Sequence, residues 1–236
     1  MMAVFTLTVR QLAGSRRWWL VLGLTALPIL AAVLFRVAET TTTPREYADD
    51  ITASLVASAI LPLVILLLGV AAFGNEVSDR TLVYLTTKPI ARWRIVAPKA
   101  AATLLVGGLP VAVSGAVAIL VIEGGDLQGA SATAGGLLAG AAAYTAIFTW
   151  AGLALRHALV AGLVYVFVWE AVLAAYLDGI RFLSIRRFAL SLVNGLDAER
   201  LTDAELGAGA ASIGVVLVLA GFTALAIRKL TRMDVP

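Results

Sequence analysis

The chain has no cysteine and one histidine among its 236 residues, and only 14% of them are charged. Without cysteine there is no disulfide framework, no thiolate metal site and no cysteine nucleophile. A single histidine leaves no basis for a histidine-built zinc site. Charge is scarce against the roughly 25% of an ordinary soluble domain. Hydrophobic residues make up 61% of the chain, and the mean hydropathy is +0.95. These proportions exclude a soluble globular enzyme and a disordered tail. They also exclude a nucleic-acid binder. The net charge is only +3, and the basic residues stand in short clusters between apolar runs, not along one polar face. None of the three lysines follows a glycine, so the chain has no G-x-x-x-x-G-K-[ST] phosphate loop. What is present is the material of a polytopic membrane protein, with no catalytic, cofactor-binding or metal-binding residues of its own.

A bilayer core of about 30 Å takes about 20 apolar residues per helix. Six runs meet that length: 18–37, 51–73, 95–122, 130–155, 158–177 and 207–227. The runs are continuous and do not alternate, which predicts helices and not membrane strands. The first run is too long for a signal-peptide core and lacks a small-x-small cleavage site, so it reads as a retained span. The third is longer than a span needs, and Gly107, Gly108 and Pro110 predict a kink or a tilt there. Pro28 and Pro62 predict kinks in the first two. The expected fold is all-α, one transmembrane domain over 1–236.

Orientation follows the lysines and arginines of the short loops. Arg10, Arg16 and Arg17 precede the first span. Arg80, Lys88, Arg92, Arg94 and Lys99 follow the second, against Glu76 and Asp79. Arg156 follows the fourth, and Arg228, Lys229 and Arg232 end the chain. With six spans these segments share one side. The alternate loops carry Glu39, Glu46, Asp49 and Asp50, then Glu123 and Asp126. Both termini are therefore expected in the cytoplasm.

Two segments between spans are informative. The cytoplasmic stretch 75–94 begins with helix-capping Asn75 or Ser78 and carries Glu76 and Asp79 where a helix dipole favours acid. Val77, Thr81, Leu82, Tyr84 and Leu85 recur at helical spacing until Pro89 stops them. An amphipathic piece with Arg92, Trp93 and Arg94 leads into the third span. Such a short helix either rests on lipid or docks a cytoplasmic partner. The extracytoplasmic stretch 178–206 is too polar to span. Apolar Ile180, Leu183, Ile185, Phe188, Leu192 and Val193 alternate with Arg181, Arg186 and Arg187, a pattern that fits an amphipathic or re-entrant helix. Asn194-Gly195 marks a turn before an acid-rich link.

The segment 75–99 resembles the signature region of ABC-2 type transporter permeases. There an acidic residue precedes a Thr-Leu pair, a short leucine-rich helix, a proline, and a basic-aromatic stretch ending in lysine. The matching residues are Glu76, Thr81-Leu82, Tyr84-Leu85, Pro89, Arg92-Trp93-Arg94 and Lys99. Length, span count and termini are similar too. One position departs: Arg80 stands directly before Thr81, where the family often has glycine. The resemblance implies a type V exporter-like permease fold and a permease half that pairs as a homodimer or heterodimer. It also implies two copies of a separate ATPase, which would bind ATP and Mg, since this chain carries no cofactor. The coupling residues it implies are Glu76, Asp79, Arg80, Thr81, Leu82, Tyr84, Leu85 and Pro89.

Glu170 lies in the middle of the fifth span, beside Trp169. A carboxylate at the bilayer centre costs about 2–3 kcal/mol or more unless it is paired, protonated or faces the bundle. It is a candidate for the pathway or the dimer seam, or a packing residue. Gly136-x-x-x-Gly140 and Ala210-x-x-x-Gly214 permit close helix contact. The expected function is transport of a hydrophobic or amphiphilic substrate across the cytoplasmic membrane, in contact with membrane lipids and not nucleic acid. The Ala/Gly/Val/Leu/Arg-rich composition suggests a bacterium. The alternatives are an integral-membrane lipid-modifying enzyme and a membrane anchor or regulator that transports nothing.

Overall fold

The computed structural model describes residues 1–38, 41–78, 91–173, 183–198, 200–201 and 206–232. The first helix, α1 (Met2–Ala13), was not foreseen, although Val4, Thr8 and Leu12 already share one face at i, i+4 and i+8. Thr8 and Leu12 are buried where α1 packs on the start of the third apolar run. Helix α2 (Arg17–Val37) buries Val21, Thr25, Pro28, Ala32 and Phe35, a strict four-three stripe, and leaves the rest of its apolar surface outward. A helix this apolar with one buried stripe suits lipid on its other side.

Helix α3 joins Pro44–Asp50, the segment Ile51–Ile60 and Leu61–Ser78. Its start follows from Thr43, which accepts from the Glu46 N–H at 3.3 Å, with Pro44 in the first turn. The middle segment is π-wound: the Leu61 N–H reaches five residues back to the Val56 carbonyl. Helix α4 joins Trp93–Thr103, the π-wound Leu104–Gly108 and Leu109–Ile122. Both π segments end just before a proline, Pro62 and Pro110. A proline ring clashes with the carbonyl four residues back, and widening the winding ahead of it relieves that clash. The break expected at Gly107, Gly108 and Pro110 thus takes this form. Gly124 and Gly125 then turn the chain with φ of +68° and +105°, a region that favours glycine.

Helix α5 (Leu127–Ala154) is the axis of the molecule, packed by α3 and α4. Its glycines bring neighbours close. A Cβ on Gly152 would lie 2.8 Å from the Val70 carbonyl oxygen of α3. Helix α6 joins Ala158–Val164 and the π-wound Tyr165–Leu173. Helix α7 (Ile185–Leu196) is the amphipathic piece, buried through Ile185, Phe188, Ala189, Leu190 and Val193. Helix α8 (Ala208–Thr231) closes the bundle against α5 and α7.

Five described helices are long and apolar enough to cross a membrane: Arg17–Val37, Pro44–Gly74, Trp93–Ile122, Leu127–Ala154 and Ala208–Thr231. The apolar helix Ala158–Glu170 is shorter, and the remainder of the expected fifth span, 174–177, lies outside the described residues. Among the described residues there is no strand. Arg156, Arg228 and Lys229 stand at one end of α5 and α8; Asp126 and Asp197 stand at the other.

Candidate functional site

Three polar stations interrupt the apolar bundle. The first is at its basic end, at the base of the 75–94 segment. Glu76 lies in the last turn of α3 and Lys99 in the second turn of α4, and the two pair at 2.6 Å. Lys99 is 1% exposed. Its ammonium also donates to the Ala72 carbonyl at 2.5 Å and lies 4.6 Å from the centre of the Phe73 ring. An ammonium has three donors, and here a carboxylate, a carbonyl and an aromatic face receive it. Beneath the pair Phe73, Ile95, Val96, Leu153, Ala226 and Leu230 form a separate apolar cluster. The loop is therefore closed at its base onto α3, α4, α5 and α8. Of the expected coupling residues, Glu76 is placed; Asp79, Arg80, Thr81, Leu82, Tyr84, Leu85 and Pro89 lie outside the described residues. Trp93 is half exposed with the Arg94 guanidinium 5.6 Å from its ring.

The second station is Glu170, 4% exposed. It lies 12 residues beyond Ala158, about 18 Å along α6 at the α-helical rise. Its carboxylate accepts from the Tyr165 hydroxyl at 3.1 Å, the Ser184 hydroxyl at 2.5 Å and the Ile185 backbone N–H at 3.0 Å. Ser184 is also the N-cap of α7, accepting from the Arg187 N–H at 3.3 Å. Glu170 thus caps the N-terminus of α7, where free N–H groups and the helix dipole favour an anion. Tyr144, fully buried, stacks on Phe148 at 5.7 Å, and Phe148 meets Tyr165 edge-on at 6.2 Å, so an aromatic wall encloses the group. Trp169 is half-buried.

From Glu170, α7 climbs to the acidic end. Its seat is cut by the two small-residue motifs. A Cβ on Gly140 would stand 2.8 Å from Ala189 Cβ, one on Gly136 2.6 Å from the Ala189 carbonyl oxygen, and one on Gly214 2.6 Å from Phe188 Cζ. The amphipathic pattern was legible in the sequence. Its burial between α5 and α8 was not.

The third station, which sequence reasoning missed, closes the acidic end. Arg200 is 1% exposed and pairs with Asp49 at 3.3 Å, Asp126 at 3.1 Å, Asp197 at 3.0 Å and Glu123. Asp126 also caps α5, accepting from the Gln128 and Gly129 N–H groups at 3.1 Å each. One guanidinium thereby ties the start of α3, the α4–α5 turn and the chain after α7. Gly129 leaves it room, since a Cβ there would collide with the guanidinium. Burial pushes Glu123 up to about 7, aided by the neighbouring Asp126 and opposed by Arg200. The Gly129 N–H, with Glu123 and Arg200, holds Asp126 below the usual carboxylate range. Burial works against the charge of Arg200, but its carboxylate partners outweigh it and raise its pKa. The only sequence signal was a lone arginine within the acid-rich stretch after Asn194.

These features define a class first: a polytopic helical membrane protein with a polar clamp at each end and a capped carboxylate between. The family model for ABC-2 family transporter proteins matches residues 15–177, well over half the chain, and the chain belongs to that family. It is a multi-pass membrane permease of an ABC transporter, a transport component and not itself an enzyme, and the family implies an ATPase partner. No curated protein matches the chain.

Proposed function

We propose that the chain is one half of an ATP-driven exporter in the cytoplasmic membrane. It has six spans, both termini in the cytoplasm, and works as a dimer of permease halves over two ATPase subunits. The ATPase seats on the 75–94 segment through Asp79, Arg80, Thr81, Leu82, Tyr84 and Leu85, with Pro89 ending the docking helix. One observation carries this reading: Glu76 and Lys99 bolt the base of that segment to α3 and α4. A push on the docked helix then moves two spans and not a slack loop. Glu170 holds α7 to α6, so a shift of α6 carries the outer re-entrant helix with it.

A hydrophobic or amphiphilic substrate suits this interior. Among the described residues the buried charged side chains are Lys99, Glu170 and Arg200, and each is already matched by the chain's own groups. An ion would need an unpaired buried charge to receive it, and none stands among these three. The test is copurification of the ATPase with the wild-type chain and with Tyr84→Glu/Leu85→Glu. The expected result is loss of the ATPase from the variant while the chain still inserts. Full retention refutes docking at this segment.

A further inference from the structure

A groove of about 180 Å³ opens between α5, α6 and α8, lined by Phe148, Trp150, Leu155, Gly162, Tyr165 and Phe222 among others. Its wall is apolar; the Tyr165 hydroxyl is turned away to Glu170. Trp150 and Phe222 meet edge-on at 5.4 Å and form its floor and one flank. Val160 and Val164 of α6 and Leu225 of α8 are exposed on the surface beside it. The groove therefore faces the hydrocarbon side of the bundle.

Its lower end is cationic. Arg156 directly follows Leu155 in the turn between α5 and α6 and is exposed. Lys229, also exposed, stands seven residues beyond Phe222 on α8. Seven residues are two helical turns, so Lys229 shares the Phe222 face about 10 Å nearer the basic end. Residues 127–169 contain no acid, and neither do 206–233. An apolar channel ending on two cations has the charge profile of one lipid class: an acyl chain above and an anionic headgroup below. A second copy of the chain fits less well. Two-fold pairing through this groove would bring Arg156 and Lys229 against their own counterparts.

We propose that this groove binds one anionic phospholipid from the leaflet at the basic end, its acyl chain against Trp150 and Phe222 and its phosphate between Arg156 and Lys229. The site lies outside the proposed ATPase seat, so its failure leaves that docking untouched.

The experiment uses Trp150 as reporter. The full-length chain with Trp18, Trp19, Trp93 and Trp169 replaced by Phe is placed in lipid nanodiscs. Phosphatidylglycerol brominated on its acyl chains is compared with phosphatidylcholine carrying the same brominated chains. Half-maximal quenching is expected at a roughly thirtyfold lower mole fraction for the anionic lipid, the preference that two surface cations at about 1 kcal/mol each confer. Arg156→Gln with Lys229→Gln is expected to bring the two lipids level while both still quench. Ala161→Phe, which fills the groove, is expected to abolish quenching. A fluorophore on a cysteine replacing Leu155 in the otherwise native, cysteine-free chain repeats the comparison without the tryptophan replacements. Equal quenching by both headgroups in the unaltered groove overturns the proposal, because it shows ordinary lipid contact. Absence of quenching by either also overturns it, because it shows a protein surface over the groove.

Discussion

At the scale of single residues, three buried charges decide what the apolar bundle can tolerate. Lys99→Met leaves Glu76 without its ammonium, and loss of one partner of a buried pair costs on the order of 3 kcal/mol. The Glu76→Met/Lys99→Met pair is expected to melt closer to the wild type than either single variant, since no charge is stranded. Thermal unfolding of the four proteins in one detergent gives the coupling energy. Glu170→Gln keeps the shape but turns one acceptor oxygen into a donor facing other donors, and should cost about 1–3 kcal/mol. Tyr165→Phe removes one of three hydrogen bonds and should cost about 1 kcal/mol by the same measurement. Glu123 adds a pH dependence. Its ordinary value is 4.5 and its folded value about 7, so between them the folded chain holds more protons than the unfolded one. Stability from this group therefore rises as pH falls from about 7 towards 4.5 and fades as pH climbs through 7. Asp126 has the opposite sign, but its contribution is lost only below its ordinary value of 3.8. A melt near pH 5 is expected to lie above one near pH 8, and Glu123→Gln should shrink the difference to the part that Asp49, raised by burial to about 6, adds with the same sign. An unchanged slope in that variant would place the effect elsewhere.

At the scale of elements, the five long apolar helices were legible because continuous apolar runs permit little but helices in lipid. The break at Gly107, Gly108 and Pro110 was legible because glycine and proline act locally, and it became the π-wound turn Leu104–Gly108. The amphipathic pattern of α7 was legible too. Its position was not, because the partner of Glu170 is a helix start 14 residues further on, and the Gly136 and Gly140 seat comes from another helix altogether. The Arg200 clamp was hidden for the same reason: Asp49 and Arg200 are distant in sequence, and charges in loops read first as markers of topology. Helix α1 is faint in the sequence because its inward stripe is only Val4, Thr8 and Leu12, with a polar residue at its centre. The seat of α7 predicts its own failure. Gly136→Leu has no room against the Ala189 backbone, and overpacking of this kind costs about 1–3 kcal/mol. In a chain otherwise free of cysteine, a cysteine at Ala189 is expected to resist maleimide in the parent and react when Gly136→Leu is added. Equal protection in both would mean that α7 does not depend on this seat.

At the scale of the whole molecule, the three stations lie in sequence from one face of the membrane to the other. The basic-end clamp joins the loop base to α3 and α4, the capped carboxylate joins α6 to α7, and the acidic-end clamp joins α3, the α4–α5 turn and the chain after α7. The apolar packing between them is close enough to transmit strain from one station to the next. On the proposed reading, in which a separate ATPase drives the chain, α6 should change only when that motor turns over below. The direct measurement is the rate at which a membrane-impermeant maleimide labels a single cysteine at Val172, half exposed on α6 beside Glu170. It is taken on the permease–ATPase complex in proteoliposomes, with and without ATP. The expected rate changes with ATP in the complex and stays constant when the ATPase is absent or when Tyr84→Glu/Leu85→Glu is present. A rate that ignores ATP in the intact complex, or shifts equally with no ATPase bound, contradicts a motor acting through the 75–94 segment.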